Sequence, residues 1–234
     1  MLKAMNNLEI FASPAALVEA VTQKLVQTSR DCILKKRRFT LALSGGSTPK
    51  ALYENMASAA WRDRFDWANI EIFFGDDRAV GPDDEFSNYK MAKSAFGGVP
   101  AKLHRIEGEL EPEIAAQKYN ALLEGLGSPI DVVLLGLGDD GHTASLFPDS
   151  PVLGETQILV SATPVATLQP FVRRVTMTFP AINASANKWF LVTGNAKAAR
   201  LNEVLNGPKN VQKLPAQGVE NPVWFVDEGA ASGL

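Results

Sequence analysis

Residues 130–148 read IDVVLLGLGDDGHTASLFP, and this stretch indicates the class of fold. Its first six residues are apolar except for Asp131, a pattern typical of a strand that is covered on both faces. Three glycines then carry the chain through a turn that presents Asp140 and His142. In parallel α/β sheets, ligands bind where strands end, so this turn is a candidate functional site.

The rest of the chain continues the same alternation of short apolar runs and amphipathic helices. We predict helices at residues 15–36, 49–60, 88–96, 112–126 and 196–205. We predict strands at residues 39–43, 69–74, 130–135, 158–162, 175–178, 189–193 and 223–226. This order predicts a single α/β domain spanning residues 1–234, with a mostly parallel, Rossmann-like sheet and helices on both faces.

The composition is that of an ordinary globular protein, with 46% apolar and 21% charged residues. A formal net charge of -3 argues against a nucleic acid or an anionic membrane as partner. Cys32 is the only cysteine, which excludes an intramolecular disulfide and a cysteine-built metal cage. No stretch approaches the roughly 20 apolar residues of a membrane span, and no secretory signal is evident, so we expect a cytoplasmic protein.

The first candidate binding loop follows the strand predicted at residues 39–43. It consists of five small or hydroxylated residues: Ser44, Gly45, Gly46, Ser47 and Thr48. The glycines let the backbone approach a ligand, and Pro49 begins a helix whose positive end attracts an anion. We therefore expect a site for phosphate or carboxylate. The loop is not a nucleotide P-loop, because no glycine-lysine-serine/threonine ending follows it.

The second candidate loop is Gly75-Asp76-Asp77-Arg78, which follows the strand at residues 69–74. The carboxylates of such a loop can orient a hydroxylated substrate, while the guanidinium holds an anion through two hydrogen bonds. Asp76 and Arg78 are therefore candidate catalytic residues. The alternative is an exposed charged turn with internal salt bridges.

The third loop contains Gly136, Gly138 and Gly141, which match the dinucleotide-binding fingerprint. Pro148 would interrupt the helix that must follow this fingerprint, and no clear ribose-binding acid lies about 20 residues on. We therefore predict no dinucleotide cofactor. The turn instead presents Asp140 and His142, and a histidine in such a place is a candidate general base.

Two cations later in the chain are candidates for neutralising a bound anion. Arg173 opens a predicted strand, and Lys197 lies at the start of a predicted helix. The helix dipole mildly disfavours a lysine there, which a neighbouring anion would explain. The alternative for both residues is an ordinary solvated surface charge.

Together these segments resemble the 6-phosphogluconolactonases of the pentose phosphate pathway. The resemblance runs in family order from residue 41 to residue 231 and rests on LALSGGSTPKALYE, FFGDDRAV with SNYKMA, LLGLGDDGHTASLFPDS, RVTMTFPAIN, LVTGNAKAARL and PVWFVDEGAA. The segment around GHTASLFP is the most specific. One departure is that Asp77 replaces the glutamate that is usual at its position, which leaves the role of that position open.

The resemblance implies a glucosamine-6-phosphate deaminase-like fold and hydrolysis of 6-phospho-D-glucono-1,5-lactone without metal or cofactor. It implies that His142 activates water, that Asp140 or Asp76 orients the imidazole or the sugar, and that Arg78 or loop amides stabilise the oxyanion. The phosphate would lie on the first loop, near Lys197 and Arg173. The expected partner is this small phosphorylated sugar lactone, and the expected assembly is a monomer or a weak homo-oligomer.

Two alternatives remain open at this stage. The related glucosamine-6-phosphate deaminases share the sheet and the phosphate loop, but their histidine loop carries asparagine before the glycine-histidine pair and a glutamate after it. This chain instead has Asp140 and the segment Ser145-Leu146-Phe147-Pro148, which favours a lactonase. A sugar-phosphate sensor without activity is the other alternative, and the presence of Asp76, Arg78 and His142 argues against it.

Overall fold

The computed structural model of the chain describes residues 7–166 and 168–234. The strands in this part are β1 (Leu8–Phe11), β2 (Phe39–Leu43), β3 (Ile70–Phe74), β4 (Asp76–Arg78), β5 (Lys102–Leu103), β6 (Val132–Leu135), β7 (Val160–Ala162), β8 (Arg174–Met177), β9 (Asn187–Val192) and β10 (Val223–Asp227). The α-helices are α1 (Pro14–Lys36), α2 (Ser47–Ala57), α3 (Asn88–Phe96), α4 (Pro112–Glu124), α5 (Phe179–Ala184), α6 (Ala198–Asn206) and α7 (Glu228–Ala231).

A seven-stranded sheet in the order β1-β10-β9-β6-β2-β3-β5 forms the centre of the molecule. Each neighbouring pair in it is parallel. Every residue of β2 and β6 is buried, because helices cover both faces of the sheet. The predicted α/β fold with a mostly parallel sheet is confirmed. The first strand, β1, was not predicted.

A second, three-stranded sheet in the order β4-β8-β7 is antiparallel. Its register places Asp76 opposite Thr176 and Arg78 opposite Arg174. The sequence interpretation was wrong here, because it treated residues 75–78 as a loop. The sequence interpretation also placed the strands near residues 158–162 and 175–178 in the alternating α/β pattern. In the structure these strands, β7 and β8, pair with each other, and β8 also pairs with β4.

The two sheets are joined at Gly75, which lies between β3 and β4. Its N–H donates to the Leu43 carbonyl at 2.8 Å, and its carbonyl accepts from the Met177 N–H at 2.7 Å. The antiparallel sheet is therefore fixed against the carboxyl ends of β2 and β3. Those ends carry the candidate loops.

Some element boundaries differ from the predicted ones. Helix α2 begins at Ser47, so two of the predicted loop residues belong to its first turn. A short 3-10 turn at Asn195–Lys197 precedes α6, so Lys197 lies directly before the helix rather than in its first turn as predicted. Within the described ranges, no helix has both the length and the apolar character needed to cross a membrane.

Candidate active site

A polar cleft opens at the carboxyl ends of β2 and β6, beside the antiparallel sheet. Its cavity volume is about 270 Å³. It is lined by Ser44, Gly45, Gly46, Asp76, Arg78, Asn88, Gly136, Leu137, Gly138, Asp139, His142, Ala144, Leu168, Arg174 and Lys197. All three candidate loops of the sequence therefore meet in one place.

The turn that carries His142 is closed by its own backbone. The Gly138 N–H donates to the His142 carbonyl at 2.9 Å, and the Gly141 N–H donates to the Gly138 carbonyl at 3.0 Å. A side chain at position 138 would place its Cβ only 2.0 Å from Nδ1 of His142. Glycine is therefore required at this position so that the imidazole can pack against the backbone.

Asp140 holds the imidazole of His142. Its Oδ1 lies 2.5 Å from Nδ1 of the ring and accepts the backbone N–H of the same histidine at 3.0 Å. Burial raises the pKa of Asp140, but the hydrogen bond and the charge of His142 outweigh it and hold the pKa below its ordinary value. An ionised carboxylate fixes the proton on Nδ1, which leaves Nε2 as the basic ring nitrogen. The ring also contacts Phe147, with centroids 4.7 Å apart.

Asp76 is buried, and a different partner holds it. Oγ of Ser145 donates to Oδ2 of Asp76 at 2.5 Å. The Ser145 N–H in turn donates to Oγ1 of Thr176 at 3.1 Å. Of the two carboxylates that the sequence left open, Asp140 is therefore the one bonded to His142, while Asp76 is oriented by Ser145. Sequence reasoning did not assign a role to Ser145.

Two arginines face each other across the antiparallel sheet and both line the cleft. Arg78 and Arg174 form a cross-strand pair, and like charges in such a pair repel. The Arg174 residue is only 5% exposed, and burial lowers its pKa, with Asp76 partly opposing that effect. Nε of each arginine is buried without a hydrogen-bond partner among the described residues. The arrangement leaves positive charge and donors for an anion in the cleft.

Arg173, which the sequence selected, lies outside this cleft. Its guanidinium pairs with Glu113, and its side chain lines a separate surface cavity with Pro151 and Glu155. Successive residues of an extended chain point in opposite directions, so only one of two adjacent arginines can face the cleft. Register with β4 selects Arg174. The prediction that Arg173 neutralises the bound anion is corrected accordingly.

The glycine loop is divided between two surfaces. Ser44, Gly45 and Gly46 line the cleft, whereas Ser47 and Thr48 line a neighbouring groove between α1 and α2. Oγ1 of Thr48 lies 2.7 Å from Oγ1 of Thr193 in that groove. The part of the loop in the cleft therefore offers the two glycines and the N-terminal end of α2 rather than these two hydroxyls.

Lys197 lines the cleft beside the glycine loop. Its Nζ lies 2.5 Å from Oδ1 of Asp139, whose side chain is 80% exposed. An exposed carboxylate is a weakly held partner, because water competes with the ion pair. The ammonium is thus placed where a bound anion can take over from Asp139.

Asp77, at the position where the sequence departs from the family pattern, is buried behind the cleft. It accepts the backbone N–H groups of Arg78, Asn88 and Tyr89 at 2.8, 2.7 and 3.0 Å. Burial raises its pKa to about 6, against the lowering effect of these three bonds. The carboxylate joins β4 to the start of α3.

Asn88, the first residue of α3, lines the cleft and was not singled out from the sequence. Its side chain accepts from Nη1 of Arg78 at 3.0 Å and donates to the Asp76 carbonyl at 3.0 Å. No sequence signal beyond the SNYKMA segment pointed to it.

No group of three or more His, Cys, Asp or Glu side chains in the described part of the chain converges as a metal site would require. The cleft instead combines one paired histidine, one serine-held carboxylate and three cations. Its place at the carboxyl ends of parallel strands is where α/β proteins typically bind their ligands, and its cations suit an anionic one.

Comparison with known proteins gives the family. The model of the glucosamine-6-phosphate isomerases/6-phosphogluconolactonase family matches residues 12–225. A 6-phosphogluconolactonase of Nostoc sp. is 34% identical, with 98% of each chain covered. The chain belongs to the glucosamine-6-phosphate isomerase/6-phosphogluconolactonase family.

Solved structures agree with this assignment. The 6-phosphogluconolactonase from Trypanosoma brucei superposes with a TM-score of 0.85 at 29% identity, covering 97% of this chain and 98% of the other. A monomeric glucosamine-6-phosphate deaminase superposes with a TM-score of 0.84 at 20% identity, covering 97% of this chain and 100% of the other. At that identity, the second likeness shows the shared fold alone.

Proposed function

We propose that the chain hydrolyses 6-phospho-D-glucono-1,5-lactone to 6-phospho-D-gluconate in the oxidative pentose phosphate pathway. The observation that carries the proposal is the Asp140–His142 pair, which leaves a basic ring nitrogen at a cleft that also holds an anion-binding loop and three cations. The 6-phosphogluconolactonases that resemble the chain over nearly its whole length support the same activity.

In the proposed reaction, Nε2 of His142 takes a proton from a water molecule while the oxygen of that water attacks the lactone carbonyl carbon. The bond from the carbonyl carbon to the ring oxygen then breaks, and the imidazolium returns the proton to that oxygen. A lactone is an activated ester, so one positioned base is sufficient and no covalent intermediate is required. Asp140 keeps the proton on Nδ1 and stabilises the imidazolium that forms.

The negatively charged groups of the substrate contact the positively charged parts of the cleft. The phosphate lies on Gly45 and Gly46 at the start of α2, with Lys197 beside it. Arg78 and Arg174 supply the remaining charge, both for the phosphate and for the oxygen that becomes negative during attack. Asp76, held by Ser145, accepts hydrogen bonds from the sugar hydroxyls through its other oxygen.

The remaining sequence expectations belong to the same proposal. The partner is a small phosphorylated lactone rather than a nucleic acid or a membrane, the site of action is the cytoplasm, and the chain works as a monomer or a weak homo-oligomer. Size-exclusion chromatography with light scattering measures the last of these directly.

The test is a coupled assay with freshly generated 6-phosphogluconolactone, corrected for spontaneous hydrolysis. We expect product to form well above the uncatalysed rate. Incubation with glucosamine 6-phosphate in parallel measures ammonia release. Ammonia release without lactone hydrolysis would make the chain a deaminase, and a rate equal to the spontaneous one would remove the proposed activity.

A further inference from the structure

Asn88 connects three parts of the cleft through a single side-chain amide. Its Oδ1 accepts from Nη1 of Arg78 at 3.0 Å, and its Nδ2 donates to the Asp76 carbonyl at 3.0 Å. The residue is only 4% exposed. Rotating the amide by half a turn would set a donor against the guanidinium and an acceptor against the carbonyl, so its orientation is fixed by both partners.

The glycine loop packs directly on this amide through Gly45. A Cβ at Gly45 would lie 2.3 Å from Oδ1 of Asn88 and 2.9 Å from its Cγ. A glutamine is one methylene longer and would meet the Gly45 backbone. Asparagine is thus the residue whose amide both fits under the loop and reaches the two strand groups.

The helix that Asn88 begins does not need this side chain. Ser87 caps α3 by accepting the Lys90 N–H at 3.2 Å. Asp77 accepts the backbone N–H groups of Asn88 and Tyr89. The start of the helix is therefore secured by other groups, and the amide of Asn88 is free for the cleft.

Arg78 has few other restraints. Besides Asn88, its guanidinium donates to the Phe86 carbonyl at 2.6 Å, and no carboxylate pairs with it among the described residues. A long side chain held by one carbonyl has several accessible rotamers, and freezing them on binding reduces affinity. The second acceptor limits that freedom before the ligand arrives.

We propose that Asn88 is a positioning residue that fixes the Arg78 guanidinium relative to the Gly45–Gly46 loop, so that both meet the same anionic substrate. The inference deepens the proposed function and rests on it for the identity of the substrate. Asn88 acts through Arg78 and needs no contact with the reacting atoms.

The test is a double-mutant cycle of Asn88→Ala and Arg78→Ala, read in kcat/KM for 6-phosphogluconolactone. We expect Asn88→Ala to lower kcat/KM about tenfold in the wild-type background, the effect of one hydrogen bond to a charged group. In the Arg78→Ala background it should have almost no further effect. Independent, multiplicative losses would mean that Asn88 does not act through Arg78 and would overturn the inference.

The control is Asn183→Ala, which removes a comparable amide outside the cleft. Asn183 donates to the Gly218 carbonyl at 3.0 Å and accepts the Glu220 N–H at 2.9 Å. Its loss should lower the melting temperature without changing kcat/KM. If Asn88→Ala does not fold, Asn88→Ser replaces it, because serine suits the first turn of a helix but cannot reach the guanidinium.

A second measurement separates this inference from the proposed activity. Calorimetric titration of the wild type, both single variants and the double variant with inorganic phosphate measures four dissociation constants. These constants complete the same double-mutant cycle without any reaction. We expect weaker phosphate binding in Asn88→Ala only while Arg78 is present. If phosphate binding weakens in this way but the wild type does not hydrolyse the lactone, Asn88 keeps its positioning role and the proposed lactonase activity is rejected. If the wild type is active but Asn88→Ala binds phosphate as tightly as the wild type, the positioning role is rejected.

Discussion

The seven-stranded parallel sheet and the three-stranded antiparallel sheet perform different tasks in this molecule. The strands β2 and β6 are buried along their whole length and consist almost entirely of apolar residues. The strand β4 is Asp76-Asp77-Arg78, and its partner β8 begins with Arg174. The first sheet stabilises the fold, and the second places charges at the end of the first. Substitutions of the cleft-lining charges should therefore change activity, whereas substitutions in the buried parallel sheet should change stability.

The largest effect is expected in the turn that the parallel sheet presents. We predict that His142→Ala lowers kcat by roughly 10²–10⁴, the usual contribution of a general base. His104→Ala is the matched control, because His104 pairs with Glu71 at 2.7 Å and does not line the cleft. Near-wild-type turnover of His142→Ala in the lactone assay would contradict the mechanism.

Within the parallel sheet itself, we predict a loss of stability without a comparable loss of turnover. Leu134 in β6 is fully buried, so Leu134→Ala should lower the free energy of unfolding by about 2–5 kcal/mol. Leu34→Ala is the control, because this side chain is 84% exposed and its loss should change stability by less than about 0.5 kcal/mol. Urea unfolding measures the first quantity. A large fall in kcat of the folded Leu134→Ala variant would contradict the conclusion that the parallel sheet contributes mainly to stability.

The antiparallel sheet should make stability depend on pH through Asp77. Its pKa of about 6 in the folded protein lies above its ordinary value of 3.8, so the native state binds a proton that the unfolded chain has released between these values. Stability should therefore decrease as pH rises from about 4 to about 6, by on the order of 3 kcal/mol in all.

Asp77→Asn cannot titrate and should lack this decrease. The measurement is the urea midpoint of both proteins from pH 4 to pH 7.5. A difference between the two proteins that stays constant over this range would show that the hydrogen bonds to Asp77 offset its burial.

Arg174, the first residue of β8, and Arg173 directly before it allow a direct test of the register. Arg174→Gln should lower kcat/KM about ten- to hundredfold, because a charged hydrogen bond contributes about 1.5–3 kcal/mol. Arg173→Gln should leave kcat/KM unchanged, since Arg173 pairs with Glu113 away from the cleft. Equal effects of the two substitutions would contradict the selection of Arg174 by strand register. A rise in KM would show that Arg174 binds the phosphate, whereas a fall in kcat would show that it stabilises the oxygen that becomes negative during attack.

The smallest effect is expected at Lys197, whose ammonium is only partly buried. Lys197→Ala should raise KM about tenfold and change kcat much less, as the loss of one contact to the phosphate requires. Lys213→Ala is the control, because Lys213 pairs with Asp149 on the surface. An unchanged KM would remove Lys197 from the phosphate site.

Much of the parallel sheet and of the histidine turn followed from the sequence, because the deciding interactions are local. The apolar run at residues 132–135 is typical of a strand buried on both faces, and the closely spaced glycines at positions 138 and 141 favour a tight turn, with Gly141 at a positive φ. The helix starts were less certain, and α2 begins at Ser47 rather than Pro49. The assignments of catalytic and phosphate-binding roles stay predictions.

The sequence by itself determined the α/β class, the glycine loop after β2 and the glycine-rich turn that presents Asp140 and His142. It left open whether Asp140 or Asp76 holds the imidazole, and the structure shows that Asp140 does. Only the tertiary structure decided that Arg174 rather than Arg173 enters the cleft, that Ser145 holds Asp76, and that Asn88 lies under Gly45. The physical reason is the pairing of β4 with β8, which joins segments far apart in the chain. Register between distant strands depends on the packing of the whole molecule, and it determines which of two adjacent side chains faces the cleft.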